Sequence, residues 1–218
     1  MKKIIGFAGK MRSGKGVASH CLRDHYGYVY VEMADKLKEI CVKLLNMKNV
    51  DELDYFKNNE KEICFEFNSE TCHRISELTD VPEDFIKEKA LSKEITNARG
   101  LLQFIGTDIL RGYDPQWHIK HTIEKITKLV EDGRRVVIGD VRFPNEKLAI
   151  ESIGGEIYYI KSKKNNINSD HPSENSLSSI DFDFEHIIYN DGLPNIDVFL
   201  YHVMDKVDKN YIDTCYRK

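Results

Sequence analysis

The sequence predicts an α/β fold in which helices flank a five-stranded, mostly parallel sheet. Five short apolar or β-branched segments alternate with segments of helical periodicity, as strands joined by crossover helices do. About a hundred residues separate the second segment from the third, far more than one crossover requires, and most of them have helical periodicity. The fold therefore includes a helical insert between the second and third strands. The predicted strands are residues 3–8, 28–32, 135–140, 156–161 and 186–189.

The first predicted strand runs directly into a glycine-spaced loop and then a helix. Gly9, Gly14 and Lys15 have the Gly-x4-Gly-Lys spacing of a P-loop, which binds phosphate through backbone N–H groups, a helix N-terminus and the lysine. The hydroxyl residue that usually follows the lysine and helps to hold Mg²⁺ is absent here. We predict that the loop binds ATP, with Lys15 on the β- and γ-phosphates. The predicted ATP-binding residues are Gly9, Lys10, Arg12, Ser13, Gly14, Lys15, Gly16 and Val17.

The insert contains three segments with the periodicity of amphipathic helices, at residues 35–47, 98–112 and 116–131. Residues 51–95 are acidic and only loosely periodic, and we expect a peripheral helical excursion there. A phosphoryl-transfer enzyme needs an acceptor site as well as a donor site. The insert is where we expect the acceptor to bind.

A polar stripe runs along the second of these helices. Arg99, Gln103, Thr107 and Arg111 recur every four residues and form one slowly drifting line opposite the leucines. Arginines suit phosphate and glutamine suits a base edge, although an ordinary solvated face has the same pattern. Trp117, the one tryptophan, could stack on a base or fill a gap in the core. We count Arg99, Gln103, Arg111 and Trp117 as candidate substrate-binding residues.

The third predicted strand ends at an acidic residue, Asp140, which Arg142 follows closely. Open α/β sheets bind their ligands at the carboxyl ends of their strands. Asp140 could hold Mg²⁺, directly or through water, and so replace the hydroxyl that Gly16 lacks. Arg142 would neutralise charge on the phosphoryl group during transfer. The alternative is a strand-end aspartate paired with a neighbouring arginine.

A polar loop that contains Lys163 and Lys164 follows the fourth predicted strand and leads to Asp-His-Pro-Ser-Glu at 170–174. Residues this close in sequence rarely form a Ser-His-Asp triad, and no Gly-x-Ser-x-Gly elbow is present. We predict instead a lid-like loop over residues 161–185. It would close over the nucleotides, and Lys161, Lys163 and Lys164 would contact their phosphates.

Composition favours a single globular domain over residues 1–218. A net charge of −4 gives no basic footprint for polynucleotides, and no apolar run is long enough to cross a membrane. Five scattered cysteines suit free thiols in a reducing compartment, so we expect a cytoplasmic protein.

Five stretches together resemble the deoxynucleoside monophosphate kinases of tailed bacteriophages and their bacterial relatives. The most specific is Asp-Val-Arg-Phe-Pro-Asn-Glu. The stretches are residues 9–16, 33–38, 101–108, 140–146 and 170–174.

The resemblance implies a P-loop kinase fold that transfers the γ-phosphate of ATP to a deoxynucleoside 5′-monophosphate, with Mg²⁺. It implies an inserted helical acceptor-binding region over 33–130, and members of this kind are often homodimers. Lys15 would bind the donor phosphates, with Asp140 and Arg142 at the reaction centre. The residues implied near the acceptor are Asp35, Lys38, Arg99 and Gln103.

Two other interpretations stay open at this stage. The chain could be a P-loop kinase for another small acceptor, such as dephospho-coenzyme A or phosphomevalonate. It could also be a nucleotide-binding regulatory module without transfer activity, which the missing hydroxyl at position 16 would permit.

Overall fold

A computed structural model describes residues 3–162, 176–191 and 195–208 of the chain. The chain forms two compact units, which we call the sheet unit (Met1–Met33 and Ile123–Lys218) and the insert unit (Ala34–Thr122). In chain order, the elements within the described ranges are β1 (Ile4–Ala8), α1 (Lys15–Tyr26), β2 (Tyr28–Val31), α2 (Asp35–Leu44), α3 (Val50–Asn58), β3 (Glu62–Glu66), α4 (Ser69–Thr79), α5 (Glu83–Ala90), β4 (Glu94–Asn97), α6 (Ala98–Gln103), a π-helix (Phe104–Arg111), α7 (Trp117–Glu131), β5 (Arg135–Val141), α8 (Pro144–Ser152), β6 (Glu156–Lys161), short 3₁₀ turns at Ser179–Asp181 and Phe184–His186, β7 (Ile187–Tyr189) and α9 (Ile196–Val207).

The sheet unit contains a five-stranded sheet in the order β2-β5-β1-β6-β7, and each neighbouring pair is parallel. These are the five predicted strands, each correct to within about one residue at its ends. The predicted α/β class is therefore confirmed. Every residue of β1 is buried, as expected for a central strand covered on both faces.

One core of the sheet unit lies between strands and two helices. Phe7 of β1, Val137 of β5 and Ile160 of β6 pack in it with Leu22 of α1 and Val203 of α9. Helix α1 ends at a glycine in the left-handed conformation, Gly27, whose N–H bonds back to the Leu22 carbonyl. This stop lets β2 begin at the very next residue.

The insert unit has a core of its own, and residues 51–95 are part of it. Leu53, Phe67, Ile75 and Ile86 from this segment are fully buried. The expectation of a peripheral, helical segment is therefore wrong in two respects. The segment supplies core side chains, and it contains an antiparallel strand pair, β3 with β4, besides three helices.

The predicted helix over residues 98–112 is only partly α-helical. Its first six residues form α6, and the chain continues without a break as the π-helix Phe104–Arg111. The predicted helix over 35–47 ends three residues early, at Leu44. Two residues later, Asn46 has a positive φ of 52°, which an α-helix does not allow. The third predicted helix, α7, starts at Trp117.

Candidate active site

The loop between β1 and α1 has the backbone of a phosphate cradle. Gly9, Arg12 and Gly14 adopt positive φ values of 139°, 60° and 111°. No side chain caps the N-terminus of α1, and no acidic residue lies in its first turn. The first N–H groups of a helix have no acceptor within the helix, so this end is available to an anion. Lys10, Arg12, Gly16 and Val17 are exposed around the loop.

Two parts of the sheet unit that are distant in sequence hold this loop in shape. The Asn190 side chain donates a 2.8 Å hydrogen bond to the Ser13 carbonyl. A Cβ at Gly14 would lie 2.8 Å from the Asn190 amide nitrogen and 3.0 Å from the Phe199 ring. A Cβ at Gly9 would lie 2.5 Å from the Ile160 carbonyl oxygen, so both glycines are required by close packing as well as by φ.

Lys15 is the first residue of α1 and is buried beneath the loop, with 9% of its surface exposed. Its ammonium donates hydrogen bonds to the Gly9 carbonyl and, at 2.7 Å, to the Lys10 carbonyl. Lys15 is therefore held against the loop that the sequence predicts as its phosphate site. Ser13 is also buried, and its hydroxyl has no partner within the described ranges.

Asp140 lies next to the loop at the carboxyl edge of the sheet. The register pairs Ala8 of β1 with Val141 of β5, so Asp140 adjoins the strand end from which the loop departs. One Asp140 carboxylate oxygen accepts a 2.8 Å hydrogen bond from the Met33 N–H. Glu32 is the neighbouring acid, and the Tyr30 hydroxyl donates to it at 2.7 Å.

The surroundings of Asp140 oppose its negative charge. Burial, followed by the nearby Glu32 carboxylate, raises the pKa of Asp140 from an ordinary value of 3.8 to about 7. Glu146 acts in the same direction, whereas the Met33 N–H and Arg142 favour the charged form. The carboxyl groups of Asp140 and Glu32 thus lie close together at the carboxyl edge of the sheet, beside the loop at 9–16.

These residues fit Mg²⁺. Mg²⁺ in phosphoryl-transfer sites is held by one or two carboxylates together with substrate phosphates, and the two neighbouring carboxyl groups of Asp140 and Glu32 meet that requirement. Within the described ranges no group of three or more His, Cys, Asp and Glu side chains forms a metal site. Asp140, with Glu32 beside it, would be the pair that contacts the ion.

Arg142 lies in the turn between β5 and α8, which a buried glutamate stabilises. The Glu146 carboxylate accepts hydrogen bonds from the N–H groups of Arg142 at 2.8 Å and Phe143 at 3.1 Å. Glu146 is 2% exposed and lies in the first turn of α8, where the helix dipole favours a carboxylate. Sequence analysis did not single out Glu146, although it belongs to the Asp-Val-Arg-Phe-Pro-Asn-Glu stretch.

The insert unit displays the predicted polar stripe. Arg99 and Gln103 are exposed, and Thr107 and Arg111 are partly exposed, while Leu101, Ile105 and Ile109 are buried on the opposite side. Asp35 is the first residue of α2 and partly exposed.

Lys38 is buried, and its ammonium group forms a salt bridge within the insert unit. Its ammonium lies 3.0 Å from the Asp54 carboxylate, which Lys57 also contacts. Burial opposes the ionisation of Asp54, but hydrogen bonds from Lys57 and Lys38 hold its pKa below the ordinary value. Lys38 therefore joins α2 to α3.

Trp117 fills the core of the insert unit, which is the second of the two predicted alternatives. It is 6% exposed, and its indole N–H donates a 3.1 Å hydrogen bond to the Thr79 carbonyl. We therefore leave Trp117 out of the candidate substrate site. Residues 163–175, with Lys163, Lys164 and the 170–174 motif, lie outside the described residues, so the lid-like loop over 161–185 stays a prediction.

The family model described as deoxynucleotide monophosphate kinase matches residues 43–197, well over half of the chain. The chain belongs to the deoxynucleotide monophosphate kinase family. It is thus a nucleotide monophosphate kinase, a phosphotransferase. The family match begins at residue 43, after the P-loop. The support for a donor site at residues 9–16 therefore comes from the loop geometry described above.

Two further proteins are similar to this kinase. A protein of Acanthamoeba polyphaga mimivirus, provisionally named a deoxynucleotide monophosphate kinase, is 31% identical over 189 residues, which span 81% of this chain and 83% of that protein. The structure of dephospho-CoA kinase from Campylobacter jejuni aligns over 95% of this chain and 97% of its own, with 12% identity and a TM-score of 0.46. That distant likeness says nothing about the acceptor. In the described part of the kinase, no helix is both long and apolar enough to cross a membrane.

Proposed function

We propose that this kinase transfers the γ-phosphoryl group of ATP to deoxynucleoside 5′-monophosphates and so forms the diphosphates. The observation that carries the proposal is the loop at 9–16. In a chain of this family, it combines glycines at positive φ, an uncapped helix N-terminus and a lysine held beneath it. That combination is suited to the polyphosphate of a nucleoside triphosphate.

On the donor side, the N–H groups at the start of α1 would bind phosphate oxygens. Lys15 would exchange its neutral carbonyl partners, Gly9 and Lys10, for anionic phosphate oxygens. Charge-assisted hydrogen bonds are stronger than those to neutral carbonyls, so the exchange favours binding.

The transfer itself requires little covalent chemistry from the protein. A phosphate oxygen of the monophosphate forms a bond to the γ-phosphorus, and the bond to the bridging oxygen breaks as ADP leaves. Arg142 would neutralise the charge that the equatorial oxygens carry in the transition state. Asp140, with Glu32, would hold Mg²⁺, and the bound ion supplies charge neutralisation on the donor phosphates.

On the acceptor side, we assign the stripe of the insert unit to the deoxynucleotide. Arg99 and Arg111 would bind its phosphate or flank it, and Gln103 offers both a donor and an acceptor to a base edge. Asp35, at the accessible start of α2, is a further candidate for a base or sugar contact.

A coupled assay that reports ADP formation tests the proposal. ATP and Mg²⁺ are supplied with each deoxynucleoside monophosphate in turn, and dephospho-coenzyme A and phosphomevalonate serve as rival acceptors. We expect turnover with at least one deoxynucleotide. We also expect Lys15→Met to abolish that turnover without lowering the thermal midpoint substantially.

Transfer to a rival acceptor alone would reject the proposed substrate class. Near wild-type turnover in Lys15→Met would remove the loop from the mechanism. Tight ATP binding without transfer to any deoxynucleotide would reject the proposed reaction.

A further inference from the structure

The polar stripe of the insert unit crosses from an α-helix into a π-helix. Arg99 and Gln103 belong to α6, whereas Thr107 and Arg111 belong to the π-helix Phe104–Arg111. A π-helix of this length is unusual, and π-helical turns are frequent at functional sites. The question is what the change of helix type does to the four side chains.

The π-helix straightens the stripe. In an α-helix, residues four apart overshoot a full turn by about 40°, so four such residues spread over roughly 120°. With i→i+5 hydrogen bonds a turn holds more than four residues, so residues four apart fall short of a full turn by roughly 30°. The angular offset that builds up from Arg99 to Gln103 in the α-helix is therefore reversed over Thr107 and Arg111 in the π-helix. As a result, all four side chains lie close to one line along the helix.

Exposure agrees with this geometry. The four stripe residues are exposed or partly exposed, and the buried residues Ile105, Gly106, Ile109 and Leu110 occupy the other side of the π-helix. In a continuous α-helix, Arg111 would be turned by roughly a third of a revolution away from Arg99. The helix type therefore decides whether both arginines can bind one ligand.

Tertiary contacts stabilise the π-helix at its buried glycine. The Gly106 carbonyl accepts a 3.0 Å hydrogen bond from His118 Nε2, and His118 is 6% exposed. A carbonyl oxygen can only accept a hydrogen bond, so His118 Nε2 must carry the hydrogen. The second lone pair of the Gly106 carbonyl oxygen remains able to accept a hydrogen bond within the helix. A Cβ at position 106 would lie 2.7 Å from a Leu37 methyl group, so α2 packs closely against this glycine and the Leu37 side chain would have to shift if another residue stood there.

We propose that His118 is a positioning residue for the acceptor site. Through the Gly106 carbonyl, it holds Phe104–Arg111 in the π-helical register that aligns the stripe. His118 touches no substrate in this scheme. The inference rests on the proposed function, because it assumes that the stripe binds the deoxynucleotide.

A pair of substitutions that differ by one methylene group tests the proposal. His118→Gln places an amide N–H near the position of Nε2 and retains the bond to Gly106. His118→Asn keeps the amide but cannot reach the carbonyl. His121→Asn is the matched control, because His121 lies on the same helix and packs against Trp117, with ring centroids 4.4 Å apart.

Two measurements are made on each full-length variant: amide hydrogen exchange over residues 104–111, and the KM values for ATP and for the deoxynucleotide. We expect His118→Asn to accelerate exchange in this segment and to raise the deoxynucleotide KM about tenfold, with the KM for ATP within about twofold of wild type. His118→Gln and His121→Asn should stay close to wild type in both measurements.

Unchanged exchange and unchanged KM in His118→Asn would overturn the proposal. Equal losses in the Gln and Asn variants would also overturn it, because the bond to Gly106 would not be the cause. Faster exchange with an unchanged deoxynucleotide KM would break the link between the π-helix and the acceptor. If the wild-type protein transfers nothing to deoxynucleotides, the proposed function fails, and the exchange measurement still decides whether His118 holds the π-helix.

Discussion

Asp140 illustrates how a candidate catalytic residue can reduce the stability of the fold that carries it. Its carboxylate is partly buried near Glu32, and its pKa is raised to about 7. A carboxyl whose folded pKa exceeds its unfolded pKa disfavours folding once it ionises. That cost is absent below the unfolded value, grows as the pH rises from about 4 to about 7, and is then constant.

We therefore predict that Asp140→Asn stabilises the ligand-free protein. The amide keeps an oxygen to accept the Met33 N–H and carries no charge. The gain in unfolding free energy should be at most about 4 kcal/mol above pH 7 and should shrink toward zero near pH 4. Urea unfolding in EDTA across this range measures it, and turnover should be lost. A gain that is the same at pH 4 and pH 8 would contradict the electrostatic cause.

Arg142 is predicted to act in the transition state. Arg142→Ala should lower kcat by about 10²–10³-fold and change either KM much less, because neutralisation matters most when charge builds up on the transferred group. Steady-state kinetics with both substrates varied provides the test. Arg134→Ala, which removes an exposed arginine just before β5, is the control. A change confined to KM would reassign Arg142 to ground-state binding.

At the scale of elements, we expect substitution by alanine to have opposite effects on stability at two glycines of the P-loop. Gly14 has a φ of 111° and no room for a Cβ beside Asn190 and Phe199. Gly16 lies within α1, and a Cβ there would meet nothing within 4 Å. We expect Gly14→Ala to lose about 1–3 kcal/mol and Gly16→Ala to gain about 0.5–1 kcal/mol in the ligand-free protein. Thermal unfolding compares the two, and equal losses would contradict the assignment of α1.

The elements also show which parts of the fold the sequence can predict. Most residues of strands such as β1 and β5 are apolar, and that pattern is local, so the positions of these strands follow from the sequence alone. The strands β3 and β4 begin with charged residues, and two helices separate them, so no hairpin turn marks their pairing. The π-helix depends on contacts of Gly106 with Leu37 and His118, which are distant in sequence. The hydrophobic periodicity of the sequence cannot predict such contacts.

The same division applies to the candidate site. Gly9, Gly14 and Lys15 lie within one short motif, and spacing alone identifies them. Glu146 stabilises the Arg142 turn through backbone N–H groups, and Asn190 reaches the loop from far along the chain. Contacts of that kind leave no periodic trace, and a lone tryptophan in the core resembles one in a binding site.

At the scale of the whole molecule, the described cysteines lie in both units and differ in their exposure to solvent. Cys64 is exposed and Cys21 partly buried, whereas Cys41 and Cys72 are in the core of the insert unit. Burial raises the pKa of Cys41 to about 12, so its reactive thiolate is scarce in the native state.

Among the four cysteines in the described ranges, we predict that a thiol reagent labels Cys64 first and Cys41 last under native conditions. Mass spectrometry of the labelled peptides gives the order. A saturating deoxynucleotide should slow the labelling of Cys41 and Cys72 if it binds the insert unit, since only opened molecules react there. Cys64 serves as the internal control. Rapid labelling of Cys41 at neutral pH would contradict the described core.

The hydrogen bond from Asn190 to Ser13 joins residues 177 positions apart, and Phe199 packs on the same loop. The P-loop leaves the ribosome long before Asn190 and Phe199, which support it, have been synthesised. Contacts of such long sequence separation form late and slow folding. The proposed ATP site therefore depends on contacts that form only after residue 190 has been synthesised, and we expect a nascent chain that stops earlier to carry the motif without the means to bind a nucleotide firmly.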